Sequence, residues 1–309
     1  MQARSIPLGV IGECMLEFRQ HEDTYTLGYG GDVFNTAVYA SRIGLDVTFI
    51  SAIGDDHYSQ YLMNAWKNEG LATESVRIIP GLTPSLYIIN TDELGERTFH
   101  YWREASPFKQ LLAAGSYLGS LPSTLTSCQC IYFSGITLGL LSNDDRALLL
   151  DLLTSYQETG GIVAFDSNYR PRLWNSIKEA QVWINRAYSI SNIAFPSFDD
   201  EALLRADKSH DSLIERIQSF GVKEIILKDG KKGAIVSIEG NTQSIAAVSL
   251  ESTAIVDTTA AGDSFNGAYL ATRLKGHDAI VSAELGCRVA AKIIQHRGAI
   301  ISSDVSLEA

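Results

Sequence analysis

Short, almost fully apolar runs alternate with amphipathic stretches along this chain, and this alternation most constrains its fold. Helical patterns separate the runs; in residues 144–158, for example, leucines recur at the spacing of one helix face. Such alternation is typical of a mostly parallel sheet with helices on both faces, so the sequence predicts an α/β fold. The predicted strands lie at residues 8–11, 47–53, 131–134, 162–165, 191–195 and 224–227.

One segment departs from this alternation. Residues 85–90 and 98–104 are two β-rich runs joined by the polar stretch 91–97, a pattern typical of a β-hairpin. Together with the polar residues 19–27, the hairpin is predicted to form a small accessory sheet. Because open α/β sheets bind ligands at the carboxyl ends of their strands, we expect this sheet to project over that edge.

Length and composition favour one ordinary globular domain. The chain has 309 residues, of which 45% are hydrophobic and 20% charged, so it can bury a large core. The sequence contains no long flexible linker, low-complexity tract or repeat. We therefore predict one domain over residues 1–309, with a discontinuous lid at approximately 13–30 and 83–105.

The charge balance argues against a broadly basic nucleic-acid surface, because the formal net charge is -11 and the isoelectric point is near 5.0. An anionic ligand must therefore be bound by local cations. No apolar run approaches the roughly 20 residues that span a bilayer, so no membrane partner is predicted. Cys14, Cys128, Cys130 and Cys287 lack paired CxxC spacing. We expect Cys128 and Cys130 to be core residues on one face of a strand, and a reducing, cytoplasmic location.

The usual nucleotide and metal motifs are absent from the sequence. Residues 230–232 (GKK) lack the Ser/Thr and the upstream glycine of a Walker A loop, and residues 28–33 (GYGGDV) lack the third glycine of a Rossmann turn. Residues 21–25 (HEDTY) lack the second histidine of a metalloprotease helix. Phosphate binding must therefore rest on another turn.

Residues 257–263 (DTTAAGD) form such a candidate turn. They follow a strand-like run at 254–256 and open a helical pattern at 264–275, so their small residues are expected to present backbone N–H groups to a phosphoryl group. Asp263, beside the turn, is a candidate acceptor for the proton of an attacking hydroxyl. The alternative is a tight strand-to-helix connection with an aspartate cap, and local chemistry does not distinguish the two.

This turn resembles the DTTGAGD signature of the ribokinase (PfkB) family of carbohydrate kinases, with Ala260 where many members have glycine. Residues 30–35 (GGDVFN) resemble the family's N-terminal sugar-binding segment, and the two motifs match in order and separation along nearly the whole chain. The resemblance implies a ribokinase-like, Rossmann-type three-layer core with a small β lid, and ATP and Mg²⁺ as cosubstrates. It also implies Asp263 as base and an anion hole at Ala260, Ala261 and Gly262. Alanine at 260 is expected to be tolerated if its φ is negative.

Three further segments are similar to those of the ketodeoxygluconate kinases within this family: residues 12–17 (GECMLE), 101–103 (YWR) and 166–174 (DSNYRPRLW). The first of these segments differs from the corresponding N-terminal segment of many neutral-sugar kinases, which contains an aspartate. The resemblance implies ATP-dependent phosphorylation of 2-keto-3-deoxygluconate to 2-keto-3-deoxy-6-phosphogluconate. Two alternatives stay open: a kinase for fructose or another neutral sugar, and a regulator that binds a sugar acid without turnover.

Arg103 has a physical reason to bind a sugar acid, because a planar guanidinium pairs with a carboxylate through two parallel hydrogen bonds that no neutral hydroxyl requires. The alternative is a surface arginine on a lid strand. Tyr87 could equally be a structural aromatic residue, and Asn35 a solvated residue of a helix surface. The predicted substrate-binding residues are Gly31, Asp32, Asn35, Tyr87, Tyr101, Arg103, Arg170 and Asp263.

For the nucleotide, residues 228–233 (KDGKKG) follow a strand and are similar to the family's phosphate-side loop; a charged hairpin turn is the alternative. Residues 197–200 depart from the Asn-x-x-Glu that many relatives carry near magnesium, so no magnesium ligand is predicted. The lid is expected to mediate a homo-oligomer. The predicted ATP-binding residues are Asn168, Arg170, Lys228, Gly230, Gly233, Ala260 and Gly262.

Overall fold

Strands and helices alternate along most of the chain, as the apolar runs predict. The structure, a computed structural model, describes residues 5–21, 24–91, 97–113 and 116–307. In chain order its strands are β1 (Ile6–Ile11), β2 (Met15–His21), β3 (Thr24–Gly30), β4 (Val47–Ile53), β5 (Val76–Ile78), β6 (Leu86–Thr91), β7 (Arg97–Trp102), β8 (Cys128–Ser134), β9 (Ile162–Asp166), β10 (Ile193–Ala194), β11 (Glu224–Lys228), β12 (Ala234–Ile238) and β13 (Asn241–Ile245).

The helices fill the connections between these strands. No helix in the described part of the chain is long and apolar enough to cross a membrane. In chain order the helices are α1 (Asp32–Arg42), α2 (His57–Asn68), α3 (Ser116–Ser127), α4 (Gly135–Leu140), α5 (Asn143–Glu158), α6 (Ile177–Ser189), α7 (Phe198–Arg205), α8 (His210–Gln218), α9 (Ala261–Leu274) and α10 (Ala279–Ile293).

The main sheet runs in the order β13-β12-β11-β10-β9-β8-β1-β4-β5. Pairing is parallel from β5 to β11, and β12 and β13 extend the sheet as antiparallel strands. Strand order reverses between β1 and β8, and open α/β sheets bind ligands at such a switch point. The carboxyl ends of β1, β8 and β9 therefore lie side by side at the expected ligand edge.

Two apolar cores cover the two faces of this sheet. One contains Phe133 and Phe165 with side chains from α3, α5, α6 and α8, and the other contains Tyr132 and Ala164 with side chains from α1, α2, α9 and α10. Neighbouring strand residues serve opposite cores because their side chains alternate in direction. The predicted α/β architecture with helices on both faces is confirmed.

The two cysteines of β8 are both buried, but the prediction that they share a face is wrong. Cys128 belongs to the core with Phe133, whereas Cys130 belongs to the core with Tyr132. Cys128 is the first residue of the strand, and its thiol donates back to the carbonyl of Thr124 in α3 at 3.4 Å. The junction with α3 therefore overrides the alternation at this position.

The accessory sheet has the strand order β3-β2-β6-β7. β6 and β7 form the predicted antiparallel hairpin, and its connecting residues 92–96 lie outside the described residues. β2 and β3 form a second hairpin, and β2 pairs with β6 in parallel. We call this accessory sheet the lid. One face of the lid carries a small apolar cluster of Met15, Tyr87 and Ile89 with Phe99 and Tyr101.

The segment before α9 differs from the prediction. Residues 254–256 are not a strand: a short 3₁₀ turn ends at Ala254, and Ile255 and Val256 are 44% and 49% exposed. The N–H groups of Val256 and Asp257 donate to the carbonyl of Ile294, at 2.8 and 3.0 Å, just after α10. The backbone of this segment is therefore hydrogen-bonded to the end of α10 and not to a sheet. In addition, α9 begins at residue 261, three residues before the predicted start at 264.

Candidate active site

A cavity of about 1250 Å³ opens between the lid and the carboxyl edge of the main sheet. Every residue predicted from the sequence to bind substrate, to bind nucleotide or to act in catalysis lines this cavity. The fold thus brings together groups from the first helix, the lid, the middle strands and the turn before α9. The sequence prediction did not include several further lining residues, among them Met15, Phe99, Asp166, Arg172, Asp199, Asp200 and Lys231.

The turn before α9 has an unusual backbone. Ala260 is the residue before the helix, with φ 61° and ψ 13°, which is left-handed. The condition of a negative φ is therefore not met, and an alanine in this conformation costs about 1 to 2 kcal/mol. No side chain caps α9; the N–H of Ala261 makes a long hydrogen bond, 3.3 Å, to the carbonyl of Thr258, and this helix start lines the cavity, where its N–H groups can bind an anion. The alternative of an aspartate cap is excluded, because Ala260 is the N-cap residue and Asp263 lies within the first turn of α9.

Asp263 faces the cavity from α9. The side-chain amide of Asn35 donates to its Oδ2 at 2.8 Å, and the hydroxyl of Thr36 donates to its backbone oxygen at 3.1 Å. Burial first, and then the nearby negative charge of Asp32, raise the pKa of Asp263 to about 7. A carboxyl with such a pKa is suited to exchange a proton near neutral pH.

Asp32 opens α1 at the switch point of the sheet. Its Oδ2 accepts from the hydroxyl of Ser134 at 2.5 Å and from the amide of Asn168 at 2.9 Å, so it joins the ends of β8 and β9. Burial raises its pKa as well. Asn35, one turn later, is only 4% exposed, which excludes the alternative of a solvated helix surface.

Lys228 lies beside the turn before α9, because a Cβ added at Gly262 would lie 3.6 Å from its Nζ. That ammonium donates to Oδ2 of Asp166 at 2.5 Å, and the amide of Asn266 donates to the same oxygen at 2.7 Å. Asp166 ends β9 and was not among the predicted site residues. The sequence signal that could have identified Asp166 is an acidic residue at the carboxyl end of a buried strand.

The loop after Lys228 is both a hairpin connection and a wall of the cavity. It joins the antiparallel strands β11 and β12, and the N–H of Asp229 donates to the carbonyl of Gly233 at 2.8 Å. Gly233 has φ 101°, and a Cβ there would lie 2.1 Å from the carbonyl oxygen of Ile245. Glycine at 233 is therefore required by the packing of β13, as well as by any close approach of a ligand.

Arg103 follows the last lid strand and is buried against an acid. Its Nε donates to Oε2 of Glu13 at 2.5 Å, and the two side chains are 12% and 4% exposed. The alternative of an exposed surface arginine is therefore excluded. The sequence alone did not pair Arg103 with Glu13, because the two residues lie on segments that meet only where the lid joins the core.

Aromatic rings form the rest of the lid wall. The rings of Tyr87 and Tyr101 stack with their centroids 5.7 Å apart, and the hydroxyl of Tyr87 donates to Glu17. The guanidinium carbon of Arg172, from the main domain, lies 3.7 Å from the centroid of Tyr101. This cation–π contact joins the lid to the segment after β9.

Arg170 also lines the cavity, and it is paired. Its Nη1 donates to Oδ1 of Asp200 at 2.9 Å, and its side chain is 40% exposed. Asp200 belongs to the first turn of α7, where its N–H donates to the hydroxyl of Ser197 at 3.2 Å. The segment at 197–200 thus presents carboxylates at the cavity, although not in the spacing of many relatives.

Among the described residues, no group of three His, Cys, Asp or Glu side chains is placed to hold a metal ion. Mg²⁺ in phosphoryl-transfer sites usually keeps several waters and takes one or two carboxylates together with substrate phosphates. Asp199 and Asp200 line the cavity and are donors of that kind. The residues present therefore fit an ion that arrives with a nucleotide, and not a site formed by the protein alone.

Known proteins match this chain over nearly its whole length. The family described as pfkB family carbohydrate kinase matches residues 8–305. A 2-dehydro-3-deoxygluconokinase of Dickeya dadantii (strain 3937) is 40% identical over 299 residues, which cover 95% of this chain and 96% of the relative.

Solved structures match in fold. A 2-dehydro-3-deoxygluconokinase from Thermotoga maritima has a TM-score of 0.82 at 21% identity, covering 98% of this chain and 97% of its own. A fructokinase with bound ATP from Xylella fastidiosa has a TM-score of 0.83 at 18% identity, covering 96% and 94%. The predicted ribokinase-like fold is thereby confirmed. The chain belongs to the pfkB family of carbohydrate kinases.

Proposed function

We propose that the protein transfers the γ-phosphoryl group of ATP to a terminal hydroxyl of 2-keto-3-deoxygluconate, also called 2-dehydro-3-deoxygluconate, to give 2-keto-3-deoxy-6-phosphogluconate. The 40% identity to the Dickeya dadantii kinase over nearly the full chain supports this activity. The structural observation that carries it is a cavity with a near-neutral carboxyl, Asp263, on the core side and a buried arginine, Arg103, on the lid side.

On the core side, Asp263 accepts the proton of the attacking hydroxyl. Its pKa of about 7 makes it a base that is ionised in part at neutral pH and strong enough to take the proton during transfer. The N–H groups of Ala261 and Gly262 and the ammonium of Lys228 stabilise the charge on the transferring phosphoryl group. Ala260 positions this turn through its left-handed backbone.

On the lid side, the acid end of the sugar is bound. The two terminal nitrogens of Arg103 bind its carboxylate, with Tyr87 and Tyr101 packing beside it. Gly31, Asp32 and Asn35 bind hydroxyls nearer the base, where Asp32 and Asn35 are already held by hydrogen bonds. Arg170, which also lines the cavity, is proposed to contact both the sugar acid and ATP.

ATP occupies the end of the cavity beside α9 and α10. That end is lined by apolar side chains suited to a flat base, among them Ala247, Val248, Cys287, Ala290 and Ile294. The phosphates then extend toward the turn before α9. The residues proposed for the phosphates and ribose are Asn168, Arg170, Lys228, Gly230, Gly233, Ala260 and Gly262.

Magnesium, when bound with ATP, would neutralise phosphate charge. Asp199 and Asp200, directly or through water, are the side chains proposed to hold it. We further propose that the lid closes over the bound sugar acid and excludes water, and that lid strands pair two or more copies through exposed residues such as Tyr25 and Trp102. The four buried cysteines suit a reducing, cytoplasmic location.

An assay of ADP release over a panel of sugar acids and neutral sugars tests the proposed activity. We expect 2-keto-3-deoxygluconate to give the highest kcat/KM, and its alcohol, with the carboxyl reduced to CH₂OH, to be a poor substrate. Faster turnover of fructose would favour the neutral-sugar kinase. Binding of the sugar acid without ADP release would favour the regulator.

A further inference from the structure

Four chain segments join the lid to the core, at residues 13, 31, 85 and 103–106, and we call this junction the hinge. Glu13 belongs to the first of these segments and contacts the other three. It connects β1 to β2, and its backbone oxygen would lie 2.3 Å from a Cβ added at Gly31, the residue after β3. Its carboxylate accepts from the hydroxyl of Ser85, just before β6, at 2.8 Å. It also accepts from Arg103 and Ser106, both after β7.

The contact with Arg103 uses one edge of the guanidinium. Glu13 accepts from Nε at 2.5 Å, and among the described residues no hydrogen-bond acceptor is paired with the two terminal nitrogens. Those two nitrogens are a donor pair to which a carboxylate can bind through two parallel hydrogen bonds. Arg103 lines the cavity whereas Glu13 does not, so the occupied edge faces the hinge and the other edge remains for a ligand.

Burial and hydrogen bonds restrict the movement of the Glu13 carboxylate. Glu13 is 4% exposed, and a buried carboxylate is stable only when its oxygens are hydrogen-bonded. Ser85 and Ser106 supply those bonds, and the Ser106 hydroxyl also accepts from the N–H of Phe108 at 3.2 Å, which fixes the turn after the lid. The carboxylate therefore has little freedom to rotate, and the plane of the Arg103 guanidinium is held with it.

We propose that Glu13 is a positioning residue for recognition of the substrate carboxylate: it orients Arg103 through Nε, so that the enzyme's preference for an acid depends on a side chain outside the cavity. The inference rests on the proposed function, because it requires that Arg103 binds the carboxylate of the sugar. A purely structural role for Glu13 would instead affect acid and neutral substrates alike.

The test compares 2-keto-3-deoxygluconate with its alcohol, in the wild-type protein and in Glu13→Ala. We expect Glu13→Ala to raise KM for the acid on the order of tenfold or more, with a small change in kcat, because a displacement of about 1 Å at a binding group has effects of this size. The kcat/KM for the alcohol should change by less than about threefold. Glu13→Gln, which retains an oxygen acceptor for Nε, should restore most of the preference for the acid.

If Glu13→Ala does not fold, Glu13→Asp replaces it, since it keeps the charge but withdraws the carboxylate by about one carbon–carbon bond, ~1.5 Å. The matched control is Glu201→Ala. Glu201 is also fully buried and paired, to Tyr188 at 2.6 Å and Arg216 at 2.7 Å, but it does not line the cavity. The control should lower stability and leave the ratio of acid to alcohol unchanged.

Three results would overturn the inference. Equal losses for acid and alcohol in the Glu13 variants would make Glu13 structural only. Additive effects of Glu13→Ala and Arg103→Ala on the acid would mean that Glu13 does not act through Arg103. A wild-type protein that does not prefer the acid would overturn the proposed function, and this inference with it; the wild-type measurement alone separates that case from the other two.

Discussion

The core wall and the lid wall of the cavity are built differently. On the core wall, polar side chains bind one another across several elements: Asn35 to Asp263, Asn168 to Asp32, and Lys228 to Asp166. On the lid wall, aromatic rings stack on one another, and Arg103 is bound at the hinge. The core wall is thus a hydrogen-bonded network, and the lid wall is an apolar surface with one oriented cation.

This difference indicates that the core wall serves catalysis and the lid wall serves selection of the substrate. Groups that stabilise charge in a transition state act best when their positions are fixed before the reaction, and the core wall meets that condition. The lid closure proposed above allows few polar contacts between the lid and the core, so on that proposal the selectivity of the lid rests on a few groups near the hinge. We expect substitutions on the core wall to lower kcat and substitutions on the lid wall to raise KM.

The largest effect should come from Asp263→Asn on the core wall. We expect kcat to fall by about 10² to 10⁴-fold, because the amide cannot accept the proton of the attacking hydroxyl. Steady-state kinetics with varied ATP should show little change in the KM for ATP. In the wild type, kcat/KM should rise with pH and level off above about 7, where the Asp263 carboxylate is ionised. Near-normal kcat in the variant would show that Asp263 is not the base.

On the lid wall, Arg103→Ala should act mainly through KM. Loss of a charged hydrogen-bonding partner should weaken binding of the sugar acid by about 2 to 3 kcal/mol, roughly 30- to 150-fold. Arg103→Lys should recover part of the loss, since an ammonium provides charge without the planar geometry. The alcohol analogue should be nearly indifferent to both changes. A fall in kcat with unchanged KM would place Arg103 with the core wall instead.

On the core wall, the buried Asp263 carboxyl should also lower the free energy of unfolding by an amount that depends on pH. In the folded protein the pKa of Asp263 is raised from 3.8 to about 7, so between these values the folded state binds more protons than the unfolded state. Stability should therefore fall as pH rises through this range. Without ligands, Asp263→Asn should be more stable than the wild type at pH 8, by about 1 kcal/mol or more, and the advantage should vanish near pH 4. Equal thermal shifts at both pH values would contradict this origin.

The smallest effect should come from Ala260→Gly, which relieves the left-handed backbone of the turn. The gain in the native state is partly offset by the greater freedom of glycine in the unfolded chain, so we expect stabilisation below about 1 kcal/mol. Denaturant unfolding would measure it. Ala261→Gly is a matched control, because residue 261 is the first residue of α9 and does not have a positive φ, so the same change relieves no strain and should not stabilise. The same sign for both would argue against strain at 260.

Much of the core was predictable because strands buried on both faces must be apolar throughout. All seven residues of β4 are buried, and its predicted bounds agree with the structure. The prediction failed at 254–256, where a short apolar run is bound by the end of α10 and not by a strand. It also placed the start of α9 too late, because the small residues Ala261 and Gly262 carry no periodic apolar signal.

Many residues that line the cavity were predictable from the sequence, and their pairing with one another was not. The two sequence motifs and the lid hairpin supply groups that all line one cavity. The partners of the predicted cations could not be assigned, since Arg103 and Glu13 are 90 residues apart, Lys228 and Asp166 are 62 apart, and Arg170 and Asp200 are 30 apart. Such contacts arise where strand ends meet at one edge of a sheet.

The amino-acid sequence therefore determined which chemical groups this protein has and in what order the elements carry them, because burial periodicity and short motifs are local properties of the chain. Tertiary structure determined which charges neutralise one another, how Glu13 holds Arg103 at the hinge, and that Ala260 adopts a left-handed turn. Local propensity opposes that turn in alanine, and packing against the rest of the molecule must outweigh it.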